Sequence, residues 1–240
     1  MLPTLGRRAL AEFLGTMTLI IAAIGSCILP VQVFHLDAGL AVLMNAMAVA
    51  FVLFAVIEAF GPVSGAHFNP AVTVAMVVSE KMRKKDAAVY IGAQFSGGFV
   101  GLLLTHLMYY DTVQQLLVVS ENTKGPFVII TEALAAFLLL AVIYGCVRGR
   151  SKMTSLSVGL LVGGLLITTS STMFANPVVT FCRMFTYAFC GIAPSSGVLF
   201  MIAEFSGALV AVAAMSYLYP KKLVEKCNPY DCPPRPVEFT

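Results

Sequence analysis

Charge is what this chain has least of. Only 11% of its 240 residues are Asp, Glu, Lys or Arg, against 59% hydrophobic, and the mean hydropathy is +0.89. That balance excludes a soluble globular domain, where charged residues normally make up about a quarter of the chain. Cysteine occurs six times (Cys27, Cys146, Cys182, Cys190, Cys227, Cys232), but with no CxxC pair and no His/Cys spacing suited to zinc. Most of these read as small apolar fillers; Cys182 and Cys190 lie near one segment, so a disulfide between them stays open. No metal or cofactor is expected, and no nucleic-acid partner either, because the net charge of +3 comes from basic residues in short loops. No cleavable signal peptide is apparent either. Arg7 and Arg8 before an apolar run imitate one, but five more such runs follow. Ile24-Gly25-Ser26-Cys27 imitates a lipidation box only faintly, since Glu12 interrupts the apolar segment.

What the chain has in quantity is apolar length. Six stretches are long enough to span a bilayer, about residues 9–29, 38–60, 87–109, 127–147, 154–171 and 196–217. Between the second and third, Asn69-Pro70 reads as a helix start: Asn is a preferred N-cap, and proline fits the first helical position. That helix runs only to about Ser79, because Lys81-Met82-Arg83-Lys84-Lys85 follows. Roughly ten residues cover about 15 Å, half the hydrocarbon core. The device recurs at Asn176-Pro177-Val178, whose apolar run ends near Thr186. Two half-helices, one in each half of a chain, point to a solute site at the membrane midplane.

The halves also match elsewhere. Ala11-Glu12-Phe13-Leu14 corresponds to Thr131-Glu132-Ala133-Leu134, and Gln94-Phe95-Ser96-Gly97 to Glu204-Phe205-Ser206-Gly207. Three spans per repeat, an odd number, require the second copy to be inverted. With six spans both termini share a side. That side holds Arg7, Arg8, Lys81, Arg83, Lys84, Lys85, Arg148, Arg150, Lys152, Lys221, Lys222, Lys226 and Arg235, leaving only Lys124 and Arg183 opposite. The positive-inside rule makes it cytoplasmic. The expected fold is an all-α membrane protein of six transmembrane helices plus two re-entrant half-helices in two inverted repeats. It forms one channel domain over residues 1–226 (repeats about 7–110 and 127–220), followed by a proline-rich disordered tail over 227–240.

The two Asn-Pro half-helices, the preceding Ser64-Gly65-Ala66-His67, and Ala11-Glu12-Phe13-Leu14-Gly15-Thr16 resemble the aquaporin and aquaglyceroporin (major intrinsic protein) family over roughly residues 7–220. The resemblance implies a homotetramer in the lipid bilayer, with one pore per subunit. Its pore motifs would be Asn69, Pro70, Ala71 and Asn176, Pro177, Val178, and Glu12, Glu132 and His67 would brace the loops. The half-helix dipoles would repel cations, while each Asn offers a side-chain donor to a passing oxygen. Gln94 and Glu204, set among small residues, are expected to join helices closely. Asn45 and Glu58 are expected to be contacts between helices or at an interface.

Carried over by spacing, the family's outer constriction falls on Val49, Gly164, Met173 and Val179. The chain departs from its family here. Val179 stands where the family usually has arginine, Val178 makes the second motif Asn-Pro-Val, and Thr180 stands where glycerol-conducting members commonly carry aspartate. Arg183, four residues further on, could in principle substitute for the arginine, but one helical turn along it is expected to sit away from the narrowest ring. A wide, apolar, uncharged ring suits water and small neutral solutes such as glycerol, urea or neutral metalloid hydroxides such as arsenite. Two other readings compete with this channel: a proton-coupled transporter using Glu12 and Glu132, and a structural membrane protein with a shut pore.

Overall fold

A computed structural model of the chain describes residues 3–79 and 81–220. The expected tail, and Lys221, Lys222, Lys226 and Arg235, lie outside the described residues. The elements run α1 (Leu5–Ile28), α2 (Ala38–Ser64), α3 (Pro70–Val78), α4 (Lys84–Met108), α5 (Tyr110–Val113), α6 (Pro126–Arg148), α7 (Thr154–Thr168), α8 (Pro177–Arg183) and α9 (Pro194–Leu218). One wider π turn, Leu29–Val33, extends α1. Helix starts follow from the sequence. Thr4 caps α1 and Asp37 caps α2 through their side-chain oxygens, and proline occupies the first position of α3, α6, α8 and α9.

Among the described residues five helices are long and apolar enough to cross a membrane: α1 with its π turn, α2, α4, α6 and α9. The sixth expected span is shorter. α7 has 15 residues and ends at Thr168 rather than Ser171, so it covers about 22 Å of the roughly 30 Å core. Its last turn is closed by Thr169, whose hydroxyl donates to the Leu165 carbonyl and accepts from Met173 N–H. The chain therefore leaves the helix early to enter the loop before α8. α8 likewise stops at Arg183, short of Thr186, and α3 stops at Val78.

The pairings repeat between the halves. α1 lies against α4 and α2, α6 lies against α9 and α7, and α2 meets α7 at the seam. The short helices α3 and α8 pack between, each against both α4 and α9, and touch one another. Large apolar side chains such as Phe51, Phe127, Ile130, Leu160 and Val210 face outward, while Glu12, Gln94, Glu132 and Glu204 are wholly buried. Lipid offers no hydrophobic drive for helices to associate, so close approach through small residues holds such a bundle. Two equivalent glycines supply it. A Cβ at Gly97 would overlap the Phe13 carbonyl of α1, and one at Gly207 would overlap the Ala133 carbonyl of α6.

At one end, Arg8 of α1 and Arg83 before α4 share Asp86, at 3.2 and 3.1 Å. Arg148 at the end of α6 donates to the Met215 carbonyl of α9 and to that of Tyr219, the residue after it. At the other end, the loop after α5 is pinned to the loop after α8. Ser120 N–H donates to the Met184 carbonyl at 2.9 Å, and the Asn122 amide donates to the Gly191 carbonyl at 3.1 Å.

Gly97→Ala and Gly207→Ala should each force these helices apart and destabilise the protein by about 1–3 kcal/mol. Gly92→Ala, which meets nothing within 4 Å, should be neutral. Fluorescence-detected size-exclusion profiles after heating check this.

Candidate functional site

The site is built where the chain breaks its helices. α2 ends at Gly65 with φ +88°, and the loop continues through Ala66 (φ 51°) and Phe68 (φ 48°) to Asn69. The second loop repeats this shape with Thr172 (φ 56°), Met173 (φ 33°) and Ala175 (φ 45°) before Asn176. Left-handed non-glycine residues cost roughly 1–2 kcal/mol each, and the peptide N–H groups they turn inward have no ladder partner.

Two carboxylates supply the partners. Glu12 Oε1 accepts from Ser64 Oγ (2.7 Å) and His67 N–H (2.9 Å), and Oε2 accepts from Phe68 N–H (2.7 Å) and the Gln94 amide (2.8 Å). Glu132 accepts from Phe174 N–H at 3.1 Å and Ala175 N–H at 2.6 Å. The His67 ring meets Thr73 Oγ1 at 3.1 Å and leans on Tyr90. Gln94 does more than join helices, since its amide also donates to Thr73 Oγ1 at 3.0 Å. In the second repeat, Glu204 occupies the place of Gln94 and accepts from Thr180 Oγ1 at 2.6 Å, while its other oxygen has no partner. Asn45 ties α2 to the Ala23 carbonyl (3.0 Å) and Ser26 (2.8 Å) of α1, and Glu58 accepts from Ser155 of α7.

The two asparagines are linked across the halves. Asn69 Oδ1 caps α3 at Ala71 N–H (2.8 Å), and its amide donates to the Ala175 carbonyl at 2.8 Å. Asn176 Oδ1 caps α8 at Val178 N–H (3.0 Å), and its amide donates to the Phe68 carbonyl at 2.9 Å. Each NH₂ has two hydrogens, so one remains beyond this mutual bond. Both asparagines border one cavity of about 290 Å³.

The cavity wall is apolar and follows helical spacing. Leu19 and Ala23 of α1, Val49, Leu53 and Ile57 of α2, and Leu139, Ile143 and Val147 of α6 recur every four residues. So do Thr154, Val158, Val162 and Leu166 of α7. Of the four residues expected at the constriction, Val49, Met173 and Val179 line this cavity. Gly164 does not: it is exposed on the outer face of α7, with open space around it. Counting back from Asn176 fails because α7 ends early, whereas the four-residue stripe would have selected Val162 and Leu166. Arg183 also reaches the wall. At the opposite end, Lys81 lies over the Tyr144 ring at 5.4 Å. Burial, then the neighbouring Arg148 charge, hold its ammonium below the ordinary lysine value.

Cys182 and Cys190 are free thiols. Cys190 instead shares the Ala23 carbonyl with Cys27, their sulfurs lying 4.0 and 3.3 Å from it. Among the described residues no group of three or more His, Cys, Asp or Glu is arranged to hold a metal ion.

Comparison with known proteins places these features in context. The sequence profile described as "Major intrinsic protein" matches residues 3–175, ending one residue before the second Asn-Pro. The chain is 36% identical over 231 residues to aquaglyceroporin AqpS of Rhizobium meliloti, covering 95% of this chain and 98% of that protein. It is 30% identical over 185 residues to human aquaporin-9, covering 66% of this chain and 61% of that protein. The fold matches the X-ray structure of the aquaglyceroporin from Plasmodium falciparum with a TM-score of 0.75 at 23% identity, over 93% of this chain and 100% of that one.

Glu12→Ala and Glu132→Ala should impair folding, because each leaves buried backbone donors without acceptors at about 1–3 kcal/mol per group. Glu204→Gln, which restores the amide found at Gln94, should keep wild-type yield. Monodisperse protein recovered from detergent measures all three.

Proposed function

The chain belongs to the major intrinsic protein family, and on that premise we propose that it is a passive channel for water and small neutral solutes, glycerol among them. The observation that carries this reading is a cavity bordered by both helix-capping asparagines, with an apolar stripe from each of α1, α2, α6 and α7. An apolar wall strips hydration from whatever enters. A neutral hydroxylated solute regains hydrogen bonds at the asparagines, whereas an ion loses far more than it recovers. Urea and neutral metalloid hydroxides such as arsenite belong to the same solute class. The chain carries out no chemical step in this reading.

The coupled-transporter alternative has no support: the oxygens of Glu12 and Glu132 accept from loop N–H groups and neighbouring side chains. Val49, Met173 and Val179 form the selective part of the wall, with Leu166 or Val162 in place of Gly164. Residues 1–226 act as one channel domain made of the inverted repeats 7–110 and 127–220. It is an integral protein of the plasma or bacterial inner membrane with both termini cytoplasmic, assembled as a homotetramer. The gathering of Arg8, Lys81, Arg83 and Arg148 at one end of the bundle supports that orientation.

Stopped-flow light scattering on proteoliposomes tests the reading. Water and glycerol fluxes should follow the solute gradient alone, and an imposed pH step that drives flux would favour the transporter. Val179→Arg should narrow the wall and add charge, cutting glycerol or arsenite flux about tenfold while sparing water more. Equal losses for water and the larger solutes, or no loss, would remove Val179 from the selective region.

A further inference from the structure

Arg183 is the last residue of α8 and is only 1% exposed, yet it borders the cavity together with Val179, Met173 and Phe174. Among the described residues it forms no ion pair. Its Nε and Nη1 have no partner, and Nη2 reaches the Ala23 carbonyl only at 3.5 Å, too long for a strong bond. Its other close contact is the Phe174 ring, 4.2 Å from the guanidinium carbon. The carboxylates of this half are engaged elsewhere, Glu132 with the loop and Glu204 with Thr180.

A guanidinium cannot shed its charge by deprotonating, and burying it without an anion is costly. These orphan donors belong to a side chain on the cavity wall, so a solute in the cavity comes within their reach. Helical side chains lean toward the N-terminus of their helix. A side chain at position 183 therefore overhangs the turn that carries Val179, four residues earlier. The geometry points to Arg183 as the selectivity arginine of this pore, displaced one turn along α8, a site for the paired hydroxyl oxygens of a polyol or a trihydroxy acid. Its planar fork presents parallel N–H groups that match two oxygens on one small solute. A solute engages it as the guanidinium turns off the Phe174 ring, exchanging a cation–π contact for hydrogen bonds. The fixed charge also adds to the barrier against cations. The wall near Val179 is then wide and apolar at the backbone of α8, but not uncharged.

This rests on the channel reading, and one experiment separates the two. Proteoliposomes carrying wild-type, Arg183→Met and Arg183→Lys protein are compared for water flux, glycerol flux and potassium leak. In Arg183→Met, glycerol flux should fall about tenfold with water flux within twofold, and potassium leak should rise. Arg183→Lys keeps the charge without the fork, so it should exclude potassium like wild type while losing most of the glycerol flux. Should the Met variant fail to fold, the Lys variant decides: wild-type glycerol flux in it overturns the proposal. Equal falls in water and glycerol in either variant mark Arg183 as a brace between α8 and α1 and also overturn it, as does unchanged glycerol flux in the Met variant. An inert wild-type protein would refute the channel itself, a result distinct from any of these.

Discussion

Peptide N–H groups at membrane depth have no water to turn to, and everything in this fold follows from how Glu12 and Glu132 meet that constraint. An α-helix satisfies its own backbone; a chain that halts at the midplane does not. The two carboxylates, sealed inside the bundle, take the N–H groups of His67, Phe68, Phe174 and Ala175. With those donors paired, the left-handed turns at Ala66, Phe68, Met173 and Ala175 become affordable, and each short helix can start from its asparagine. The polar groups that would be a liability in the bilayer are thus turned into the scaffold of a cavity.

Much of this was legible in the sequence. Apolar run length located the spans, Asn-Pro marked the half-helices, and the matched Glu12 and Glu132 signalled a brace because their symmetry suits a scaffold. Those signals are local, or depend only on repetition. What was missed depends on where a side chain points after a loop of unknown length. Gly164 was assigned by counting from Asn176 across a segment in which α7 ends three residues early, and such a shift rotates the selected residue off the wall. Arg183 was placed by its distance along the helix, which does not tell whether its side chain reaches the cavity wall. The approach of Cys190 to the Ala23 carbonyl that Cys27 also meets joins α1 to a distant loop, which no spacing rule reaches.

The repeats share a scaffold but not a pore lining. Gln94 and Glu204 occupy equivalent places with different chemistry, α3 runs nine residues against seven for α8, and the cavity is lined by Lys81 after α3 and by Arg183 at the end of α8. Bracing elements have to stay alike because both loops pose the same unpaired-donor problem. Wall residues are free to diverge, and it is there that the chain leaves its family's pattern.

The mutual bonds between Asn69 and the Ala175 carbonyl, and between Asn176 and the Phe68 carbonyl, have a kinetic meaning. They fasten the two halves at the point where a rocking carrier would have to part them. A protein tied there has no open-to-one-side state to cycle through, so passage has no turnover step and the rate grows with the gradient instead of saturating at a conformational limit. A cell holding such a pore would regulate flow by how many copies it makes and by what it does with the solute afterwards.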